Sequence, residues 1–111
     1  MQGRAEAKML RSSAYKVRLV VDLIRGKTID QAEAILKNNN RKGAGLVSKV
    51  LKSSIANATN NFNLDRDKLF VSEVFVNDGP VMKRNRCGSR GHSEKHYKRT
   101  CHITVIVTEK N

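Results

Sequence analysis

GPVMKRNRCGSRGHSEKHYKRT, residues Gly79 to Thr100, is a stretch that cannot bury itself. Its large apolar side chains are Val81, Met82 and Tyr97, while Lys83, Arg84, Arg86, Arg90, Lys95, Lys98 and Arg99 oppose the single acid Glu94. Yet it joins two segments with the composition of strands. Leu69 to Val76 and His102 to Val107 are rich in β-branched and aromatic residues, and Ile103, Val105 and Val107 give the second a clear apolar face. The simplest topology is a hairpin whose arms continue outward from a sheet. Taking Leu69 to Ser89 as one arm, about 20 steps of roughly 3.3 Å reach about 65 Å, against a radius of gyration of about 13 Å for a compact domain of this length. The far half, Gly79 to Thr100, is therefore expected to leave the globule. An isolated two-stranded hairpin is marginal in water and this one repels itself, so phosphates are expected to order it. A competing local reading makes Asn77-Asp78-Gly79-Pro80 the tight turn, since Asp-Gly is a strong hairpin signal. That reading leaves Val81 to Arg90 with no apolar alternation to pair, and a bend or bulge at Gly79-Pro80 fits better.

Outward from the arm, the rest of the chain reads as helices and one further strand. Arg4 to Met9 alternates, with Ala5, Ala7 and Met9 on one face, as a half-buried strand does. Ser13 is placed to accept from the free amides of a helix in which Val17, Val20, Val21 and Ile24 share a face and which Gly26 ends. Leu19 and Leu23 lie on another side, which predicts packing on two sides, with Arg18 and Arg25 on a solvent flank. Thr28 to Gln31 has the T-x-x-Q pattern of a capping box, opening a short helix that buries Ile29, Ala32, Ile35 and Leu36 and stops at Asn38-Asn39-Asn40. A third and longest helix carries Ala44, Val47, Leu51, Ile55 and Ala58 up to about Asn60, followed by a polar connection from Asn61 to Lys68. No internal repeat or linker interrupts this order. The expected architecture is a single α+β domain over residues 1–111, with three helices packed on a small antiparallel sheet and a long β-hairpin protruding from it.

Composition narrows the function. With 111 residues, the core is small and a large enclosed active site is not expected. The 22 Lys and Arg against 10 Asp and Glu give a formal charge of +12, whose self-repulsion calls for a polyanion, and nucleic acid is the default one. The richest apolar run, Val17 to Ile24, is broken by Arg18 and Asp22 and is too short to span a bilayer, so no membrane association is expected. Nothing at the N-terminus reads as a secretion or acylation signal. Two cysteines, Cys87 and Cys101, are too few for a disulfide framework, and a cytosolic location keeps them as thiols.

Three blocks of sequence resemble the bacterial large-subunit ribosomal protein L-twenty-two family, nearly end to end. They are Arg11 to Lys27 (RSSAYKVRLVVDLIRGK, with Ala14 where proline is usual), Lys49 to Asn61 (KVLKSSIANATNN, with Ser54 where alanine is common), and Gly79 to Arg84 with Lys98 to Val107 on either side of the hairpin. The resemblance implies a non-catalytic ribosomal protein of the cytoplasm. Its globule would bind large-subunit ribosomal RNA among neighbouring ribosomal proteins, and its hairpin would line the peptide exit tunnel, where the nascent peptide passes the tip. Cys87 to His92 departs from the family's tip, which usually carries proline, arginines and a Gly-Arg pair.

The residues expected to contact ribosomal RNA are Lys83, Arg84, Arg86, Arg90, Lys98 and Arg99 on the arm, and Arg11, Lys16, Arg18 and Arg25 around the first helix. A single Lys or Arg is ordinarily part of a solvated surface. The clustering of so many in a stretch without a core points instead to phosphate. Aromatics are 5% of the chain, too few for a sheet platform that stacks bases. The rival reading is zinc: Cys87, His92, His96 and Cys101 form C-x4-H-x3-H-x4-C, symmetric about Glu94, though the cysteines lack the usual short pairing. An enzyme reading rests on Cys87 with His92 or His96, which have no pocket to orient them. His102 begins the last strand opposite the apolar face and is expected to be exposed or to face RNA. No cofactor, metal or small-molecule substrate is expected.

Overall fold

Three helices cover one face of a three-stranded antiparallel sheet in the computed structural model, which describes residues 2–87 and 93–109. In chain order the elements are β1 (Gln2–Leu10), α1 (Ala14–Ile24), α2 (Ile29–Lys37), α3 (Lys42–Phe62), a 3-10 turn (Arg66–Lys68), β2 (Leu69–Asp78), β3 (Met82–Cys87), β4 (Ser93–Lys98) and β5 (Cys101–Glu109). The sheet order is β1-β5-β2, and β3 pairs with β4 in a separate two-stranded ladder. The long dimension is 63 Å and the radius of gyration 17.0 Å, well above the roughly 13 Å of a compact domain of this length.

The core forms where the apolar periods converge. Val17, Val20, Val21 and Ile24 of α1, Val47 and Leu51 of α3, and Ile103, Val105 and Val107 of β5 are all buried. The capping box is present: Thr28 Oγ1 accepts from the Gln31 N–H at 3.4 Å, and Gln31 Oε1 accepts from the Thr28 N–H at 3.3 Å. α3 runs to Phe62, slightly past the expected end, and closes at Asn63, whose left-handed backbone (φ 53°) turns the Leu64 N–H back to the Ala58 carbonyl at 3.2 Å.

Two expectations fail for local reasons. Leu19 and Leu23 are 39% and 48% exposed rather than packed, because α1 meets α2, α3 and β2 through the face that carries Val17, Val20, Val21 and Ile24. Met9 is also exposed, where alternation along β1 would bury it. Between Ala7, paired with Ile103, and Leu10, paired with Cys101, β1 carries one extra residue, and Met9 absorbs it with φ 60°. This bulge turns its side chain off the core face. The Met9 N–H then donates to Nδ1 of His102 at 3.1 Å, so half-buried His102 serves the bulge.

No tight turn forms at Asn77 to Pro80. The β2–β5 ladder ends with Asp78 opposite Cys101 and the β3–β4 ladder begins with Met82 opposite Lys98. Residues 79–81 thus stand against residues 99–100, a bulge of one residue. Pro80 has no N–H, and the junction is held by others: the Gly79 N–H donates to the Thr100 carbonyl at 3.0 Å, and Thr100 Oγ1 donates to the Pro80 carbonyl at 2.7 Å. A Cβ on Gly79 would stand 2.4 Å from Thr100 Oγ1, so glycine is required for this approach.

Ser54 is fully buried in α3, and its hydroxyl has no hydrogen-bond partner among the described residues. Ser54→Ala removes that unpaired hydroxyl and improves helix propensity, so it is expected to raise stability by about 1 kcal/mol in urea unfolding. An unchanged or lower midpoint would show that the hydroxyl is satisfied.

Candidate nucleic-acid interface

The cations expected around α1 divide into two groups with different roles. Arg18 and Arg25 reach across to β2, an edge strand. Arg18 donates through Nε and Nη2 to the Val76 carbonyl at 3.1 and 2.9 Å, and Arg25 donates through Nη2 to the Val74 carbonyl at 2.8 Å. Arg25 also pairs with Asp22 at 2.7 Å, and Arg18 lies 4.0 Å from Asp78. Both side chains remain about half exposed, so each keeps part of its charge at the surface while its fork is held by the sheet. The flank expected to be free is thus tied to backbone carbonyls. Arg11 and Lys16 are exposed at the start of α1. With Arg41 and Lys42 at the start of α3 they line one open groove. The sequence reading missed Arg41 and Lys42. Their signal was only a dipeptide before the apolar period of α3, and helix packing is what brings them to Arg11 and Lys16.

On the arm, Lys83, Arg84 and Arg86 occupy β3 and Lys98 ends β4, while exposed Arg99 follows in the junction. The ladder pairs Met82 with Lys98, Lys83 with Tyr97, Arg84 with His96, Asn85 with Lys95, Arg86 with Glu94 and Cys87 with Ser93. Arg90 and His92 lie outside the described residues. This register removes the premise of the zinc reading, which needed a turn at Glu94 to set Cys87 opposite Cys101. Cys101 instead lies opposite Asp78 and Leu10, buried in the main sheet, eight strand steps or roughly 26 Å along the chain from the partner of Cys87. Cys101 is equally out of reach as a nucleophile. Burial, aided by the Asp78 carboxylate and opposed by Arg18, pushes its thiol above the ordinary range.

Elsewhere one arginine matches two acids. Arg66 bonds Asp30 at 3.2 Å and Glu33 at 2.9 Å, and these carboxylates hold its guanidinium pKa above the ordinary value. Among the described residues no cluster of His, Cys, Asp and Glu is placed to hold a metal ion, and no helix is long and apolar enough to cross a membrane.

The division of the arginines is testable without RNA. Arg18→Ala is expected to cost about 1–2 kcal/mol in urea unfolding, because the Val76 carbonyl loses its donor, while Lys16→Ala stays within about 0.5 kcal/mol. Equal effects would refute the distinction. In a Cys87→Ser background, Cys101 is expected to resist alkylation until the chain is unfolded. Its raised folded pKa favours the neutral thiol, so the associated stability is present below the unfolded thiol pKa and is lost as pH rises through the folded value. Stability that stays flat through this alkaline range would contradict the assignment.

Comparison with known proteins finds relatives over nearly the whole chain. A family described as Ribosomal protein L22p/L17e matches residues 5–108. The large ribosomal subunit protein uL22 of Pediococcus pentosaceus is 55% identical over 108 residues, covering 97% of this chain and 92% of the relative. Its namesake in Oceanobacillus iheyensis is 53% identical over 110 residues, covering 99% and 97%. That of Clostridium novyi is 48% identical over 110 residues, covering 99% of each. With the match running through all three helices, the sheet and both strands of the arm, the chain belongs to the ribosomal protein L22p/L17e family, whose members are structural and not enzymatic.

Proposed function

We propose that this chain is a structural constituent of the large ribosomal subunit, in the cytoplasm, that binds large-subunit ribosomal RNA and supports subunit assembly beside neighbouring ribosomal proteins. In this reading residues 1–111 form one domain, from which residues 79–100 leave as an arm. The β3–β4 hairpin lines the peptide exit tunnel, and the nascent peptide passes its tip.

The observation that carries the reading is a basic two-stranded ladder, separate from the core sheet, in a molecule 63 Å long. Cationic positions fall at Lys83, Arg84 and Arg86 on one strand and at Lys95 and Lys98 on the other. Both strands of the ladder thus contribute cationic positions. An arm built this way suits insertion among phosphates on several sides better than lying on one surface. Recognition is then by shape and phosphate contact, with Arg favoured where its planar fork meets two oxygens. Arg90, Arg99, Arg11 and Lys16 extend the same contact set, and Arg18 and Arg25 join it through their exposed halves.

Titration of the chain against deproteinised large-subunit ribosomal RNA checks this directly. Log affinity is expected to fall linearly with log salt, and replacing Lys83, Arg84, Arg86 and Lys98 together by Ala is expected to reduce the slope by roughly 3. An unchanged slope would remove the arm from the RNA contact. A chain recovered free of ribosomal particles from low-salt lysate would sink the whole reading.

A further inference from the structure

The starts of α1 and α3 lie side by side because Gly43 seats against α1: a Cβ at Gly43 would stand 3.4 Å from Val17 Cγ2 and 3.6 Å from Val20 Cγ2. Over this contact is a groove of about 590 Å³, whose lining includes Arg11, Tyr15, Lys16, Leu19, Arg41 and Lys42. Four of these six are cations, no acid lines the groove, and neither helix has an acidic residue in its first turn. Among the described residues, ion pairs are made by Arg4, Arg18, Arg25 and Arg66 and by no lysine, so none of the groove's cations has an acidic partner among those residues. Tyr15 is 70% exposed beside them, and Leu19, one turn further along α1, is 39% exposed.

We propose that this groove holds an unpaired segment of ribosomal RNA, with one base stacked on the ring of Tyr15 against Leu19 and the flanking phosphates held by Arg11, Lys16, Arg41 and Lys42. The inference rests on the ribosomal RNA reading above and adds to it a base-contacting site on the globule. Charge and shape select this occupant. A double helix would answer the four cations but keeps its base faces stacked inside, leaving Tyr15 and Leu19 against water or ribose. An apolar protein surface would cover Tyr15 and Leu19 but would desolvate four cations with no acid to meet them. An unpaired nucleotide supplies both a π-face and an anion. The groove lies within the roughly 300–1,000 Å³ of sites that enclose small ligands, which gives room for a base and its phosphate. Aromatic poverty argued against a sheet that stacks several bases, and a single helix-borne ring is compatible with it.

The test uses the full chain carrying Tyr15→Ala, Tyr15→Phe, or Arg41→Ala with Lys42→Ala, titrated against deproteinised large-subunit ribosomal RNA. Thermal unfolding of each free protein confirms folding. Tyr15→Ala is expected to weaken binding about tenfold at an unchanged salt slope, and Tyr15→Phe to stay within about twofold of the parent, because the ring and not the hydroxyl makes the stack. The double substitution is expected to lower the salt slope by roughly 1.5. Parental affinity and slope for Tyr15→Ala and for the double variant, while substitutions on the arm weaken binding, would overturn the groove and leave the ribosomal RNA reading intact. Tyr15→Phe as weak as Tyr15→Ala would overturn the stack. Normal RNA affinity with poor incorporation of Tyr15→Ala into subunits would mean that a neighbouring protein covers the groove, which also overturns the inference. Failure of the parent chain to bind the RNA at all would instead defeat the reading on which the inference rests.

Discussion

A three-stranded sheet has two unpaired edges for one central strand, and closing them is the constraint around which this fold is arranged. Along β2 the closure is nearly continuous. The Gly26 N–H donates to the Val71 carbonyl and the Val71 N–H donates to the Lys27 carbonyl, both at 2.9 Å, while Arg25 covers the carbonyl of Val74 and Arg18 that of Val76. Gly26 makes the first of these possible by taking φ 78°, so the chain leaving α1 can turn at once onto the strand. On the other edge, Asn57 of α3 donates to the Arg4 carbonyl of β1 at 2.7 Å. The helices therefore supply an apolar face to the sheet and polar groups to its edges. Two arginines with the look of surface charge are part of that closure.

Closure on the β2 side reaches Val76, and the main ladder ends two residues later. Beyond Asp78 the bulge of residues 79–81 against 99–100 separates the two ladders and shifts the register between them by one residue. The hydrogen bonds of Gly79 and Thr100 hold the junction where Pro80 cannot donate. The arm is thus anchored at its root by backbone geometry.

Much of this was legible because it follows from periodicity. Val17, Val20, Val21 and Ile24 announce the buried face of α1, T-x-x-Q announces the start of α2, and the core-less run after Gly79 announces a second ladder. Edge contacts were not legible. Nothing in the order Arg18 to Arg25 says that these side chains reach carbonyls 58 and 49 residues away. Leu19 and Leu23 show the complementary limit: apolar spacing marks a face that can be buried, and only the placement of α2 and α3 decides which face is. The bulge at Met9 was hidden because alternation along a strand assumes that no residue is added. Similarly, Arg41 and Lys42 become part of a groove only through the seating of Gly43 on α1.

The direction of α1 also orders the charge. Arg18 bonds Val76 and Arg25 bonds Val74, so α1 runs against β2 and its start lies toward the end of β2 from which the arm departs. Arg11 and Lys16, near that start, are therefore at the same end of the sheet as Arg99 and the root of the hairpin. The acids favour the other end. Asp65 and Asp67 precede β2, Asp30 and Glu33 are bonded to Arg66 there, and Glu109 is opposite Leu69, so five of the chain's ten acidic residues gather where β2 begins. A formal charge of +12 is thus unevenly distributed. Local pairing with Arg66 lowers the field at one end, while the other presents the groove and the arm together. A polyanion approaching this molecule is drawn to the end where both elements are exposed, which gives the encounter an orientation before any specific contact forms.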